Sequence, residues 1–105
     1  ALLGRPNPPT AAFAMSDEMA FGAIRSLRNH GLEPGRDVSI IGIDNHPMSS
    51  YMGLTTVSQP VTELGVKAGE LLLRQMQGPV APISADRLTE LPTELIVRTS
   101  TGPKA

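Results

Sequence analysis

The short apolar runs of the chain predict β-strands. Residues 10–15 follow a proline-rich turn and predict a buried strand. Residues 38–43 are nearly all apolar and rich in β-branched side chains, which is typical of a central parallel strand covered on both faces. A shorter strand is predicted at residues 55–58, and residues 88–97 indicate one or two edge strands before a polar tail.

Apolar residues at helical spacing predict two amphipathic helices between these strands. Ser16 supplies a hydroxyl that can cap the first helix, and Gly31 supplies its C-terminal stop. The second helix follows Pro60 and ends at Gly78 and Pro79. Each helix carries an apolar stripe that we expect to be buried. The stripes consist of Ala20, Ala23, Ile24 and Leu27 in the first helix and of Leu64, Ala68, Leu71, Leu72 and Met76 in the second.

The order of these elements predicts the fold class. Strand, helix, strand, loop, strand, helix, strand is typical of an α/β protein with right-handed crossovers. Because the strands are few for a complete domain of this class, we expect a partial doubly wound parallel sheet. Residues 10–101 are assigned to this domain and residues 102–105 to a tail. Residues 1–9 are interpreted as the remnant of a preceding helix and its proline-rich turn.

Composition narrows the classes of function. The chain of 105 residues fits one small domain and has no cysteine, which excludes disulfides, zinc-thiolate sites and thiol nucleophiles and fits a cytoplasmic protein. The net charge is −1, and the basic residues are scattered singly, which gives no support for direct binding of nucleic acid. No apolar run reaches the ~18 residues that span a bilayer, so no membrane partner is expected.

Short polar side chains follow three predicted strands and form a candidate binding site. They are Ser16, Asp44 and Gln59. In open parallel sheets, ligands bind beyond the carboxyl ends of the strands, and a carboxylate there can accept two hydrogen bonds from a vicinal diol. Simpler explanations stay open: Ser16 and the adjacent Asp17 as helix-capping residues, Asp44 with Asn45 as a turn, and Gln59 as a surface residue or a loop brace.

The sequence does not favour an enzyme. Ser16, Asp44 and His46 contain the residue types of a nucleophilic triad, but there is no G-x-S-x-G elbow, and Asp44 and His46 are too close in sequence for a relay. His30 and His46 lack metal-ligand spacing. No glycine pattern matches a phosphate-binding loop or a dinucleotide fingerprint, so no cofactor is expected.

Four motifs in the same order resemble the LacI/GalR family of bacterial transcription regulators. Residues 16–23 read SDEMAFGA and are similar to the family's N/S-D-x-M-A-x-G-A helix. Residues 37–45, DVSIIGIDN, are similar to its D-V-S-V-V-G-F/Y-D-D/N strand and loop. Residues 54–60, LTTVSQP, and residues 92–101, PTELIVRTST, are similar to its later L-T-T-V-x-Q-P and P-x-x-L-x-V-R-x-S-T motifs. The resemblance covers residues 10–101.

The resemblance implies a fold and a function. The chain is identified as part of the C-terminal lobe of a periplasmic-binding-protein-like core, with the helix-turn-helix DNA-binding domain of such regulators outside it. The family's effector contacts imply a role for Asp44, for Ser16 and for Gln59 in holding a sugar or related metabolite. Ser16 stands where asparagine is more frequent, and Ile43 stands where an aromatic residue is usual.

The resemblance also implies a homodimer. The family's dimer surface maps onto the first helix and the loop around residue 51, with contacts at Phe21, Ile24, Tyr51 and Met52. We therefore expect the ligand-sensing part of a regulator that binds operator DNA only through a domain outside these residues. The alternative is a fragment of a periplasmic solute-binding protein used in sugar transport.

Overall fold

A computed structural model describes residues 2–78 and 88–104 of the chain. After a short 3-10 helix, Leu2–Gly4, it contains helices and strands in the predicted order. The strands are β1 (Ala11–Phe13), β2 (Ser39–Ile43), β3 (Thr55–Ser58) and β4 (Glu94–Ile96), and the helices are α1 (Asp17–Asn29), α2 (Ser49–Met52) and α3 (Val61–Gln77). The short helix α2 lies in a segment that the sequence predicts as loop.

The chain divides into two compact units. One unit comprises residues 1–59 and 94–105, and the other comprises residues 60–93. The first unit contains all four strands, α1 and α2. None of the helices in the described residues is both long and apolar enough to cross a membrane.

The four strands form one sheet in the order β1-β2-β3-β4. The strands β1, β2 and β3 are parallel, with Ile41 opposite both Phe13 and Thr55. The strand β4 runs antiparallel to β3 at the edge, with Val57 opposite Leu95. The predicted α/β class is thereby confirmed, as is the predicted parallel sheet for β1, β2 and β3, whereas β4 is an antiparallel edge strand.

Helix α1 covers one face of β2 and forms the core with it. The buried apolar side chains are Ala20, Ile24, Leu27, Val38, Ile40 and Leu54. Burial of a side chain such as Ile24 contributes about 1.5–3 kcal/mol to stability. The predicted apolar stripe of α1 is therefore the inner face of this helix.

Both ends of α1 form as the sequence predicts. The Ser16 hydroxyl accepts a hydrogen bond from the Met19 amide at 3.2 Å. At the other end the Gly31 backbone has a φ of 74°, a left-handed conformation that glycine adopts without steric cost. The Leu32 amide donates to the Leu27 carbonyl at 2.9 Å and closes the last turn.

The expected burial of two strands is wrong. All three residues of β1, which is an edge strand of the sheet, are exposed. In β2, Ile40 and Gly42 are buried, whereas Ser39, Ile41 and Ile43 on the opposite face are only half-buried. Helix α1 therefore covers one face of β2, and the opposite face is only partly covered.

Helix α3 forms where its periodicity predicts, but its apolar stripe is not buried. The helix begins after Pro60, whose carbonyl accepts from the Leu64 amide at 2.9 Å, and Gly78 follows its last residue. None of its residues is buried. Spacing predicts the helix, whereas burial of the stripe requires a covering surface that the described residues of its own unit do not supply. Pro79 lies outside the described residues.

Candidate functional site

Asp44 and Gln59 meet at the carboxyl edge of the sheet. Asp44 directly follows β2, and Gln59 directly follows β3. The Gln59 side-chain amide donates to Asp44 Oδ1 at 3.1 Å. Asp44 is exposed and Gln59 is half-buried. The structure thus places together two of the three residues that the sequence predicts for a binding site.

The backbone at this edge has an uncommon conformation. Asp44 has a φ of 125° and Asn45 a φ of 54°, and they are the two non-glycine residues with positive φ in the described part of the chain. Such conformations cost of order 1–3 kcal/mol each and persist only where surrounding contacts fix them. The Asp44 amide donates to the Val57 carbonyl at 2.9 Å, which fixes the start of the turn on β3.

Ser16 is engaged elsewhere. Its hydroxyl caps α1 through the Met19 amide, and its backbone is extended, as is usual for an N-cap residue. The structure therefore provides the contact that the capping explanation requires.

Asp17 is the central polar residue of this edge, whereas sequence analysis interpreted it only as a helix-capping residue. Its side chain is buried, with 1% of its surface exposed. The carboxylate accepts hydrogen bonds from the His46 amide at 2.8 Å, from the Ser49 hydroxyl at 2.5 Å and from the Thr56 hydroxyl at 2.6 Å. These bonds connect α1 with the turn after β2, with α2 and with β3. A local pattern shows only an acidic residue in the first turn of a helix.

Gly42 makes room for this carboxylate. A Cβ atom at Gly42 would overlap Asp17 Oδ1 and would lie 3.2 Å from the Leu54 Cδ2 atom. The glycine within a β-branched strand thus has a steric reason: the helix N-terminus approaches the strand backbone closely here.

The Arg98 side chain connects the turn after β2 with the residue before β3. Its guanidinium donates to Asn45 Oδ1 at 3.1 Å through Nη2 and to the Leu54 carbonyl at 2.8 Å through Nη1. The Asn45 amide donates to the Thr56 hydroxyl at 3.2 Å. Arg98 is more than 40 residues from its partners, so periodicity and local motifs gave no indication of this role.

The contacts of His46 do not form a catalytic relay. Its Nδ1 accepts from the Met48 amide at 3.0 Å, its Nε2 lies 4.0 Å from Glu18 Oε1, and its ring meets Phe21 edge to face at 5.5 Å. The Ser16 hydroxyl and the Asp44 carboxylate have the other partners described above. Among the described residues, no group of three or more His, Cys, Asp or Glu side chains is placed to hold a metal ion.

The residues expected at a dimer surface divide into two kinds. Tyr51 is 84% exposed, and Phe21 and Met52 are half-buried beside the core. Ile24 is only 1% exposed. The expectation for Ile24 is wrong, because its side chain faces β2 in the core and is not available to a partner.

Comparisons with known proteins identify a family. A family model described as a periplasmic binding protein-like domain matches residues 1–101. Among curated proteins, the chain is similar to the HTH-type transcriptional repressor CytR of Escherichia coli strain K12, with 46% identity over 102 residues. The match covers 95% of this chain and 29% of that repressor, so the chain spans less than a third of this relative.

Solved structures agree with this result. A LacI family transcriptional regulator from Enterococcus faecium with bound ribose has a TM-score of 0.74 and 37% identity, over 97% of this chain and 37% of that protein. The lac repressor dimer bound to operator and the anti-inducer ONPF has a TM-score of 0.76 and 32% identity, over 90% of this chain and 32% of that protein. The resemblance in the four motifs is confirmed. Since these relatives are transcription regulators, the alternative of a transport protein is not favoured.

Proposed function

The chain belongs to the periplasmic binding protein-like domain family, and we propose that it forms the effector-sensing and dimerisation part of a bacterial transcription regulator of LacI type. The observation that carries this proposal is the Asp44–Gln59 pair at the carboxyl edge of the sheet. Its supports are the similarity to transcription repressors and to a regulator that binds ribose.

The proposed ligand is a sugar or a related metabolite. An ionised carboxylate accepts hydrogen bonds through two oxygens, which suits the neighbouring hydroxyls of a sugar. Asp44 follows a strand and has a side chain with little rotamer entropy to lose, and Gln59 holds its Oδ1 at 3.1 Å. We assign Asp44 as the main effector contact and Gln59 as its neighbour in the cleft. Ser16 contributes by capping α1 through its hydroxyl rather than by contacting the ligand.

The remaining partners of the regulator bind through other surfaces. A small ligand in a protein cleft has 70–90% of its surface buried, which requires a second wall facing Asp44. We propose that polypeptide beyond these 105 residues forms this wall and that a helix-turn-helix domain there contacts operator DNA in the cytoplasm. Tyr51, together with Phe21 and Met52, is proposed to contact a second copy of the regulator.

Ribose binding to a chimeric protein tests the proposal. In the chimera, this chain replaces the matching segment of the ribose-bound Enterococcus faecium regulator, whose remaining residues provide the second wall. We expect the chimera to bind ribose in a calorimetric titration. Asp44→Asn should weaken binding about tenfold to a hundredfold, because a hydrogen bond to a charged group contributes roughly 1.5–3 kcal/mol.

Glu33→Gln is the matched control. Glu33 is also an exposed acidic residue, but its side chain accepts from Arg28 at 3.4 Å near the opposite end of α1 from Ser16. This variant should bind ribose as the unmodified chimera does. Equal affinity of the Asp44→Asn variant and the unmodified chimera would show that Asp44 does not contact the effector.

A further inference from the structure

We infer that Asp17 and Thr56 are positioning residues that hold the turn carrying Asp44 in the conformation that binds effector. The inference rests on the proposed function of Asp44. Neither residue needs to touch the ligand, because both act through the backbone of the turn after β2.

The bonds of Asp17 are directed at this turn. A buried carboxylate is costly unless hydrogen bonds replace its hydration, and Asp17 accepts three of them. Two of the three donors, the His46 amide and the Ser49 hydroxyl, belong to the segment that follows Asp44. The hydrogen bonds of the buried Asp17 side chain therefore fix the path of the chain after Asp44.

The Thr56 hydroxyl connects Asp17 with Asn45, the residue that directly follows Asp44. It donates to Asp17 Oδ1 at 2.6 Å and accepts from the Asn45 amide at 3.2 Å. The hydroxyl is thus a bridge between the carboxylate and the residue next to Asp44. The buried Asp17 side chain thus holds two consecutive amides. It accepts from the His46 amide directly and reaches the Asn45 amide through the Thr56 hydroxyl.

The strained backbone explains why such control is needed. Asp44 and Asn45 both have positive φ, which a non-glycine residue leaves when its surroundings permit. Relaxation of either residue would redirect the Asp44 side chain and break its bond with Gln59. Binding sites require their groups to be held within about 0.5 Å, so a small movement of the turn should reduce affinity.

A matched pair of substitutions at Thr56 tests the inference. Thr56→Val keeps the size of the side chain and removes the hydroxyl, whereas Thr56→Ser keeps the hydroxyl. In the 105-residue chain, Thr56→Val should speed native-state hydrogen exchange of the Asn45 amide about tenfold, because one hydrogen bond is lost. This increase is counted after correction for any change in the rate of exchange through global unfolding. In the chimera it should weaken ribose binding about tenfold. Thr56→Ser should leave both the exchange rate of the Asn45 amide and the ribose affinity as they are in the unsubstituted protein.

Ser100→Ala controls for a general loss of stability. Ser100 is buried in a turn after β4, where its hydroxyl donates to the Ile40 carbonyl of β2 at 2.6 Å and accepts from the Thr55 amide of β3 at 2.8 Å. This variant should destabilise the protein without changing ribose affinity or exchange at Asn45. If Thr56→Val does not fold, Asp17→Asn, which keeps the size of the carboxylate, is measured in the same way.

The outcomes separate this inference from the proposed function. Unchanged exchange at Asn45 in Thr56→Val, or in Asp17→Asn where that variant takes its place, would overturn the inference, as would equal losses of ribose affinity in Thr56→Val and Ser100→Ala. Equal ribose affinity of the Asp44→Asn variant and the unmodified chimera would instead overturn the proposed function of Asp44. The exchange measurement needs no ligand, so it decides the control of the turn in either case.

Discussion

Gly42 lies where the helix N-terminus and the second strand come closest. The residue is buried, and the space in which a side chain would begin is already occupied by the Asp17 carboxylate and the Leu54 side chain. Since close-packed interiors do not absorb even one additional methyl group without strain, this single position connects backbone packing with the hydrogen-bond network of the candidate site.

Gly42→Ala should destabilise the protein by about 1–3 kcal/mol through overpacking against Asp17. The free energy of unfolding in urea measures this effect. Gly22→Ala is the control, because Gly22 lies in α1 with no atom within 4 Å of an added Cβ. It should stabilise the helix by up to about 1 kcal/mol. Equal effects of the two substitutions would show that Gly42 has no steric role.

The sequence predicted some residues of the site and not others for a physical reason. Asp44 and Gln59 follow strands directly, so the rule for parallel sheets places them at one edge without knowledge of side-chain contacts. The environment of Asp17 depends on residues 29 to 39 positions later in the chain. Helix patterns describe only its nearest neighbours, so they predicted a helix-capping residue, whereas the structure has a buried carboxylate that accepts three hydrogen bonds.

At the scale of elements, caps and periodicity predicted α1 and α3 well, whereas burial depended on what packs against each element. The four residues of α2 are too few to show a helical period. The strand β1 has an apolar sequence, but all three of its residues are exposed at the edge of the sheet. Local sequence therefore determined the type of the longer elements, and tertiary contacts determined which faces are covered.

Ser16 allows the two explanations of its role to be separated at this scale. Ser16→Ala should cost about 1 kcal/mol of stability through loss of the α1 cap, and Ser16→Asn should retain most of that stability. Thermal unfolding measures both changes, with Ser26→Ala as the control within the same helix. If Ser16→Ala leaves stability unchanged but weakens ribose binding to the chimera, Ser16 is an effector contact and the capping assignment is wrong.

At the scale of the whole molecule, apolar surface remains exposed in the unit that contains the sheet. An open groove of about 690 Å³ lies among the 3-10 helix, α1, β1 and β2 and is lined by residues that include Leu3, Leu27 and Ile40. Phe13 of β1 is 56% exposed, and Tyr51 of α2 is 84% exposed. Large exposed apolar groups and an unpaired strand edge both favour association between chains.

We expect the chain to self-associate, and two substitutions distinguish the surface that is used. Tyr51→Asp places a charge on the proposed dimer surface, where it should dissociate a two-fold dimer that buries this residue in both copies. Tyr51 is preferable to Phe21 for this purpose, because Phe21 also contacts the His46 ring within its own chain. Phe13→Asp disrupts association through β1 and should leave the Tyr51 dimer intact. Sedimentation over a range of concentrations measures both variants. Dissociation by Phe13→Asp alone would assign the contact to the strand edge, and an unmodified chain that remains monomeric at high concentration would refute both forms of association.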